Sequence, residues 1–498
     1  MSSALIHDGP ASQVSRTLRN SHWLAVKSAT ATTRASPEPH DIVKEARLLA
    51  RVRHKHPGIV SLLSSQYDAP SARVSLTLPF LAFDLASLLA SPAFSPHPLV
   101  DLGFAGARAD ERATRFTVLA RSIVVQLLSA VAFLHSDPVR IAHRDIKPHN
   151  IRLDAGGQLQ LIDFGIAWEE QRGHDDDALP IADLWPEERD GMYFEVSTGP
   201  YRAPELLFGT RTYDAFAADR WSLGATLAEL FTSLRLVGGE DDEEEEDYDE
   251  EDDDEDYDED DQDDDEGEGM REKPPRPRAP FILPRSRTPS TRSRWVRDSL
   301  FDARRGELGL VWSIFKTLGS PSEETWPSFS TLPDASKVTF RTARGVPLER
   351  RLPNLPPGVV PNLPPATSAP SPTSAPSPTS APAPSSTSPA PSSTSVPAPS
   401  STSPLPPHEP ARPKLTPLTL ITRLLAYEPA WRLSAAAALE AVLDGGNGVV
   451  LMPEDWPFDR DSYVRIAFTT HWAHGGRRET LRDVLGACLP GRRAEWEV

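Results

Sequence analysis

The stretch His143-Arg144-Asp145-Ile146-Lys147-Pro148-His149-Asn150 is followed, 13 residues after Asn150, by Asp163-Phe164-Gly165, and further on by Ala203-Pro204-Glu205. Between the first two lies NIRLDAGGQLQLID, where apolar and polar residues alternate on both sides of Asp154-Ala155-Gly156-Gly157, as in a hairpin. Upstream, Phe116, Leu119, Ile123, Leu127, Val131 and Leu134 recur at steps of three and four. That spacing places them on one face of a helix ending near His135. Earlier still, HWLAVKSA (22–29) and ARVSLTLPFLA (72–82) read as strands. Residues 217–231 read as a second helix, with Trp221, Leu227 and Leu230 on its buried side. Strands early and helices late imply two lobes.

Outside this framework the composition changes. Hydrophobic residues are 39% of the 498-residue chain and prolines number 51, so part of the chain lacks the apolar content of a core. Residues 240–268 hold 25 of the 72 acidic side chains and no Lys or Arg, which makes the net charge of −20 a local property of a mildly basic body. That block, and the Arg/Pro-rich stretch after it, cannot bury enough surface to offset chain entropy. Residues 353–413 contain 21 prolines in near-repeats such as SAPSPTSAPSPTS, the composition of an extended linker. A single cysteine, Cys488, excludes an internal disulfide framework and a Cys-rich zinc module. His54 and His56 lack further ligands nearby and are expected to form a turn. The first nine residues do not read as a signal peptide and no 18-residue run is wholly apolar, so an intracellular protein, nuclear or cytoplasmic, is expected.

The three motifs, in this order and spacing, resemble the catalytic loop, metal-binding and helical-lobe motifs of eukaryotic protein kinases. The resemblance implies an α+β, bilobal fold, with a small, mainly β N-lobe, a larger, mainly α C-lobe and two long disordered insertions. The expected boundaries are 1–83 for the N-lobe and 84–238, 295–345 and 414–450 for the C-lobe. Insertions are expected at 239–294 and 346–413, and a C-terminal tail at 451–498. ATP and Mg2+ are the implied cofactors. Asp145 would accept a hydrogen bond from the substrate hydroxyl, Asn150 and Asp163 would bind the metal, and Lys147 would meet the transferring phosphate. Lys27 matches the strand lysine that holds the phosphates, and Glu45 its helical partner. Leu78 would lie behind the adenine, Pro79 to Leu81 would form the hinge, Asp84 would reach the ribose, and Val14 would roof the pocket. Asp219 and Arg432 match residues that brace the helical lobe, Arg432 through Glu205.

Two departures bear on function. The Gly-rich loop falls on HDGPAS (7–12), where only Gly9 survives. The position of the activating phosphothreonine falls on Tyr193, so Glu188, Asp190 or Glu195 is expected to supply Arg144 with a carboxylate instead. LGSPSEETWP (318–327) is similar to a segment of cyclin-dependent kinases, whereas residues 39–45 depart from their cyclin-contacting motif. The combination resembles the fungal monomeric kinases that activate cyclin-dependent kinases. The expected protein partner is therefore a cyclin-dependent kinase as substrate. Neither cyclin, membrane nor nucleic acid is expected as a partner. A cyclin-requiring kinase and a catalytically weak kinase-fold scaffold remain the alternatives. The basic run 276–294 could serve nuclear import, or simply pair with the acidic block.

Overall fold

The computed structural model describes residues 3–99, 109–170, 179–238, 277–283, 293–356, 415–444, 450–454, 456, 468–474 and 477–489. All belong to one compact unit formed by residues 1–359 and 414–498. The acidic block and almost all of the Pro/Ser/Thr-rich segment lie outside the described residues.

The N-lobe is an antiparallel sheet of β1 (Ser3–Asp8), β2 (Gln13–Arg19), β3 (His22–Thr30), β4 (Ser64–Asp68) and β5 (Arg73–Pro79), in the order β1-β2-β3-β5-β4. Alternation along β5 buries Val74, Leu76 and Leu78 while the intervening residues face the other side, as the two-residue period of a strand requires. Helix α1 (Ile42–Arg51) starts at Asp41, whose carboxylate accepts the amides of Val43 and Lys44 at 2.9 and 3.0 Å. Every residue from Asp41 to Leu49 is buried, polar ones included.

The C-lobe is organised around α3 (Ala109–His135), which follows β6 (Phe83–Asp84) and the short α2 (Leu85–Leu89). The six residues of the expected stripe are all at most 1% exposed. Each contributes about 1.5–3 kcal/mol relative to an exposed side chain. Residues 110–135 are long and apolar enough to cross a membrane, but this burial makes α3 a core helix. After β7 (Ile141–Ala142) come the hairpin strands β8 (Ile151–Leu153) and β9 (Leu159–Leu161), then β10 (Trp168–Glu169), which pairs with β7. The hairpin turn is built by Asp154 accepting the amides of Gly156 and Gln158, both at 2.8 Å, and by Gly157 at φ +84°. Helix α4 (Ala215–Glu229) begins two residues before expectation because Asp214 caps it. Trp221 stacks on Phe301, and Arg432, bonded twice to Glu205 at 2.6 Å, lies over the same indole.

Two expected boundaries need correction. The insertion at 239–294 is not wholly outside the fold: β12 (Phe281–Ile282) pairs parallel with β11 (Leu234–Val237), and β13 (Arg294–Arg297) pairs with β11 from the other side. Neither strand has enough apolar residues to announce itself. Both form because β11 offers free edges. The linker expected from 346 begins later, since Leu348, Leu352, Asn354 and Leu355 are buried and Asn354 Nδ2 donates to the carbonyl of Thr232 at 2.6 Å.

The lobe continues through α5 (Gly306–Leu318), α6 (Leu348–Arg351), α7 (Pro417–Leu424) and α8 (Ala435–Asp444). In the C-terminal region, β14 (Val450–Leu451) pairs with β15 (Phe468–Thr469), and β16 (Trp472–His474) with β17 (Arg477–Glu479). The last helix, α9 (Leu481–Cys488), seats Leu481, Val484 and Leu485 against the α3 side of the lobe, and Glu479 pairs with Arg115 at 2.8 Å.

Candidate active site

Lys27 and Glu45 are 18 positions apart, yet β3 and α1 bring them to 2.6 Å. Lys27 Nζ also meets Asp163 Oδ1 at 2.7 Å. Burial alone would lower the Lys27 pKa, but the carboxylates of Asp163 and Glu45 outweigh it and hold the ammonium well above its ordinary value. Burial pushes Asp163 up, and Lys27 overcomes this, keeping it far below the usual carboxylate range. Glu45 is enclosed at 1% exposure and Asp163 is 38% exposed, so the pair presents one carboxylate to the cleft.

Asp145 is held on the loop between β7 and β8. Asp219 receives the amides of His143 and Arg144, both at 2.7 Å, and His135 Nε2 lies 2.9 Å from it. The Asp145 carboxylate receives Asn150 Nδ2 at 2.7 Å, Lys147 Nζ at 2.9 Å and the Thr198 hydroxyl at 2.8 Å. Lys147 donates to Thr198 at 2.6 Å, closing a ring of three polar side chains to which Asn150 is attached through Asp145. Ile162, next to Asp163, joins the two clusters: its amide donates to Asn150 O at 3.0 Å and its carbonyl lies 2.9 Å from His143 Nε2, so Asp145, Lys147 and Asn150 are tied to the group of Lys27, Glu45 and Asp163 at one cleft. Thr198 escaped sequence reasoning; its signal is a hydroxyl residue seven positions before Glu205.

Arg144, fully buried, receives a different partner from those expected. Glu187 accepts both of its terminal nitrogens, at 2.7 and 2.6 Å, and takes Lys44 Nζ at 3.1 Å and the Tyr193 amide at 3.0 Å. Neither Glu188, Asp190 nor Glu195 does this. Burial opposes ionisation of Glu187, but Arg144 more than compensates and its pKa is lowered. The outer face of α1 is clamped in the same way. Arg47 bridges Asp183 and Glu169, and Arg51 also meets Glu169. The second Asp41 oxygen accepts the amides of Leu184 and Trp185 at 2.6 and 3.1 Å.

The nucleotide end is less uniform. Val14 pairs with Lys27 across β2 and β3, and Leu78 pairs with Ala25, which sets both beside the cleft. Pro79 ends β5 and leads into Phe80 and Leu81. Asp84 is engaged elsewhere: it accepts the Ser87 amide at 2.7 Å as the cap of α2 and meets Arg152 at 3.3 Å. Gly9 sits in the β1–β2 turn with its amide donated to Ser12 O at 3.0 Å. His56 is a structural histidine, stacked on Phe133 and bonded to Ser129 and the Gly58 amide.

A magnesium nucleotide fits these groups. Asp163 Oδ2 makes no hydrogen bond among the described residues, and the Asn150 amide nitrogen faces Asp145, leaving its oxygen for a cation. Hard oxygens of this kind suit magnesium.

The family model described as "Protein kinase domain" matches residues 3–272, more than half of the chain. The chain belongs to the protein kinase family. This kinase is 27% identical over 241 residues to cyclin-dependent kinase 20 of Danio rerio, a match covering 48% of the chain and 46% of that protein. It is 26% identical to the serine/threonine-protein kinase csk1 of Schizosaccharomyces pombe, over 64% of the chain and 72% of that protein. The chain thus spans about half the length of the cyclin-dependent kinase 20 relatives it matches. Among solved structures, the yeast RNA Pol II CTD kinase CTDK-1 complex matches at 17% identity with a TM-score of 0.45, covering 86% of this chain and 88% of that one.

Proposed function

We propose that this kinase is an ATP- and magnesium-dependent serine/threonine protein kinase that works without cyclin and without phosphorylation of its own activation segment, and that its substrate is the activation segment of cyclin-dependent kinases. The observation that carries the reading is Glu187 bonded to Arg144 and Lys44 together. A carboxylate fixed between a catalytic-loop arginine and an α1 lysine does the electrostatic work of a phosphate there, because it neutralises the same cations and ties the same two elements.

Bound magnesium neutralises phosphate charge. The chain's own groups do the rest. Lys27, oriented by Glu45, holds the nucleotide's phosphates. Asp145 accepts the hydrogen bond of the attacking hydroxyl, and Lys147 and Thr198 keep its carboxylate aimed. Phosphoryl transfer asks for positioning and charge stabilisation, and this ring supplies both. A cyclin requirement is disfavoured because α1 is already enclosed by residues of its own chain.

The reading is tested with phosphate-free protein from bacteria, assayed on a catalytically dead cyclin-dependent kinase in the absence of cyclin. Incorporation into the substrate's activation segment, abolished in Asp145→Asn, is expected. No incorporation sinks the substrate assignment, and activity that appears only with added cyclin favours the cyclin-dependent alternative.

A further inference from the structure

His40 lies in the short connection between β3 and α1, and no hydrogen bond to its ring is found among the described residues. Its backbone is fixed on three sides. The His40 carbonyl accepts the Ser36 hydroxyl at 2.7 Å, its amide donates to Pro37 O at 2.8 Å, and the next amide, of Asp41, donates to Gly165 O at 2.8 Å. The imidazole therefore cannot drift far from the Asp163-Phe164-Gly165 segment. A methyl group placed on Gly165 would lie 3.4 Å from Asp163 Oδ1, 3.6 Å from Glu45 Oε2 and 3.7 Å from His40 Nδ1. These three polar atoms thus ring one small volume. Besides the His40 nitrogen, the other two are the carboxylate oxygens that bond Lys27, so the imidazole stands beside the ion pairs at the phosphate end of the cleft.

The β1–β2 turn, where the Gly-rich loop was expected, is short of donors. The Gly9 amide is spent on Ser12, and Pro10 has no N–H. A half-buried imidazole with no hydrogen bond to its ring among the described residues, standing beside Asp163, offers a donor of the kind the turn lacks.

We infer that His40 donates a hydrogen bond to the terminal phosphate of the bound nucleotide, a contact this kinase makes from the α1 side of the cleft. The inference rests on the kinase reading above and deepens it. The contact is made to the terminal phosphate alone, so His40 separates ATP from ADP.

The test measures affinities of Mg·ATP and Mg·ADP for the full chain by calorimetry, in the natural protein, His40→Ala and His40→Gln. Loss of one donor to a phosphate is expected to weaken ATP roughly tenfold. ADP should bind unchanged, and His40→Gln, which keeps a donor, should recover part of the loss. Unchanged ADP binding also shows that the alanine variant is folded. Equal weakening of both nucleotides, or of neither, overturns the role. Natural protein that binds both nucleotides but transfers no phosphate sinks the enzyme reading and leaves the contact to be judged by the same affinities. Binding of neither nucleotide overturns both.

Discussion

Helix α1 carries two ionic clusters on adjoining flanks about 100° apart, made by consecutive residues. Glu45 looks inward to Lys27 and Asp163, whereas Lys44 looks outward to Glu187 and Arg144. The inner cluster stays open at Asp163, 38% exposed, while Lys44, Glu187 and Arg144 are between 0% and 6% exposed. An open cluster can trade partners when a nucleotide and cation arrive. A closed one cannot, because taking Glu187 away strands the Arg144 charge in a dry site. One face of the helix is therefore built for exchange and the other for permanence.

Breaking the inner cluster should have the largest effect on turnover. Lys27→Ala is expected to lower kcat/KM by roughly a thousandfold, on the scale of losing a main electrostatic contact to the reacting group. Thermal stability should fall less than activity, since Asp163 is open to water and burial, which raises the Glu45 pKa, favours uptake of a proton once Lys27 is gone. A melting temperature that falls as steeply as activity would erase the distinction between the faces.

Glu187→Ala tests the outer cluster and should show the reverse balance. It leaves the fully buried Arg144 without its carboxylate, which costs about 3–5 kcal/mol, read as a lower midpoint in urea unfolding with an unchanged slope. Activity should fall too, and saturating ATP should not restore it. Unaltered stability would mean that Arg144 finds another anion and that Glu187 is no phosphate substitute. Lys44→Met is milder, because Arg144 keeps its partner: a loss of about 1–2 kcal/mol is expected by the same measurement.

The smallest effect concerns pH and a residue outside both clusters. Burial lowers the pKa of His56 to about 4. The unfolded chain takes up this proton near pH 6.5 and the folded one only near 4, so stability is whole above 6.5 and falls as pH drops through that window. The loss should be about 1–2 kcal/mol at pH 5, and His56→Phe should flatten that part of the profile.

The inner cluster was legible in the sequence because its members sit in motifs of fixed spacing, with regular strands and a helix between them. The outer one was half legible. The need for a carboxylate opposite Arg144 followed from the absent threonine, but counting along residues 179–196 offered Glu188, Asp190 and Glu195. That segment is irregular, and a chain without a repeat gives no register from which to pick Glu187 over its neighbour. A usable signal was present in α1 itself: Lys44, Arg47 and Arg51 at i, i+3 and i+7 form a basic stripe that had to find acids. Asp84 was placed at the ribose by analogy, while its position one residue before α2 makes it a cap. Strands β12 and β13 were missed because their stability comes from β11, a partner distant in sequence.

That three-stranded ribbon has a mechanical consequence. Val237 and Phe281 are separated by the whole acidic run in sequence, yet the strands that contain them are immediate neighbours. Because the pair is parallel, the intervening chain leaves at the far end of β11 and returns beside its start, so its two ends are held about one short strand apart, and the entropy of closing a connection rises only with the logarithm of its length. Halving or doubling the run should shift folding stability by about 0.6 kcal/mol, so evolution could rewrite this stretch almost freely without disturbing the cleft.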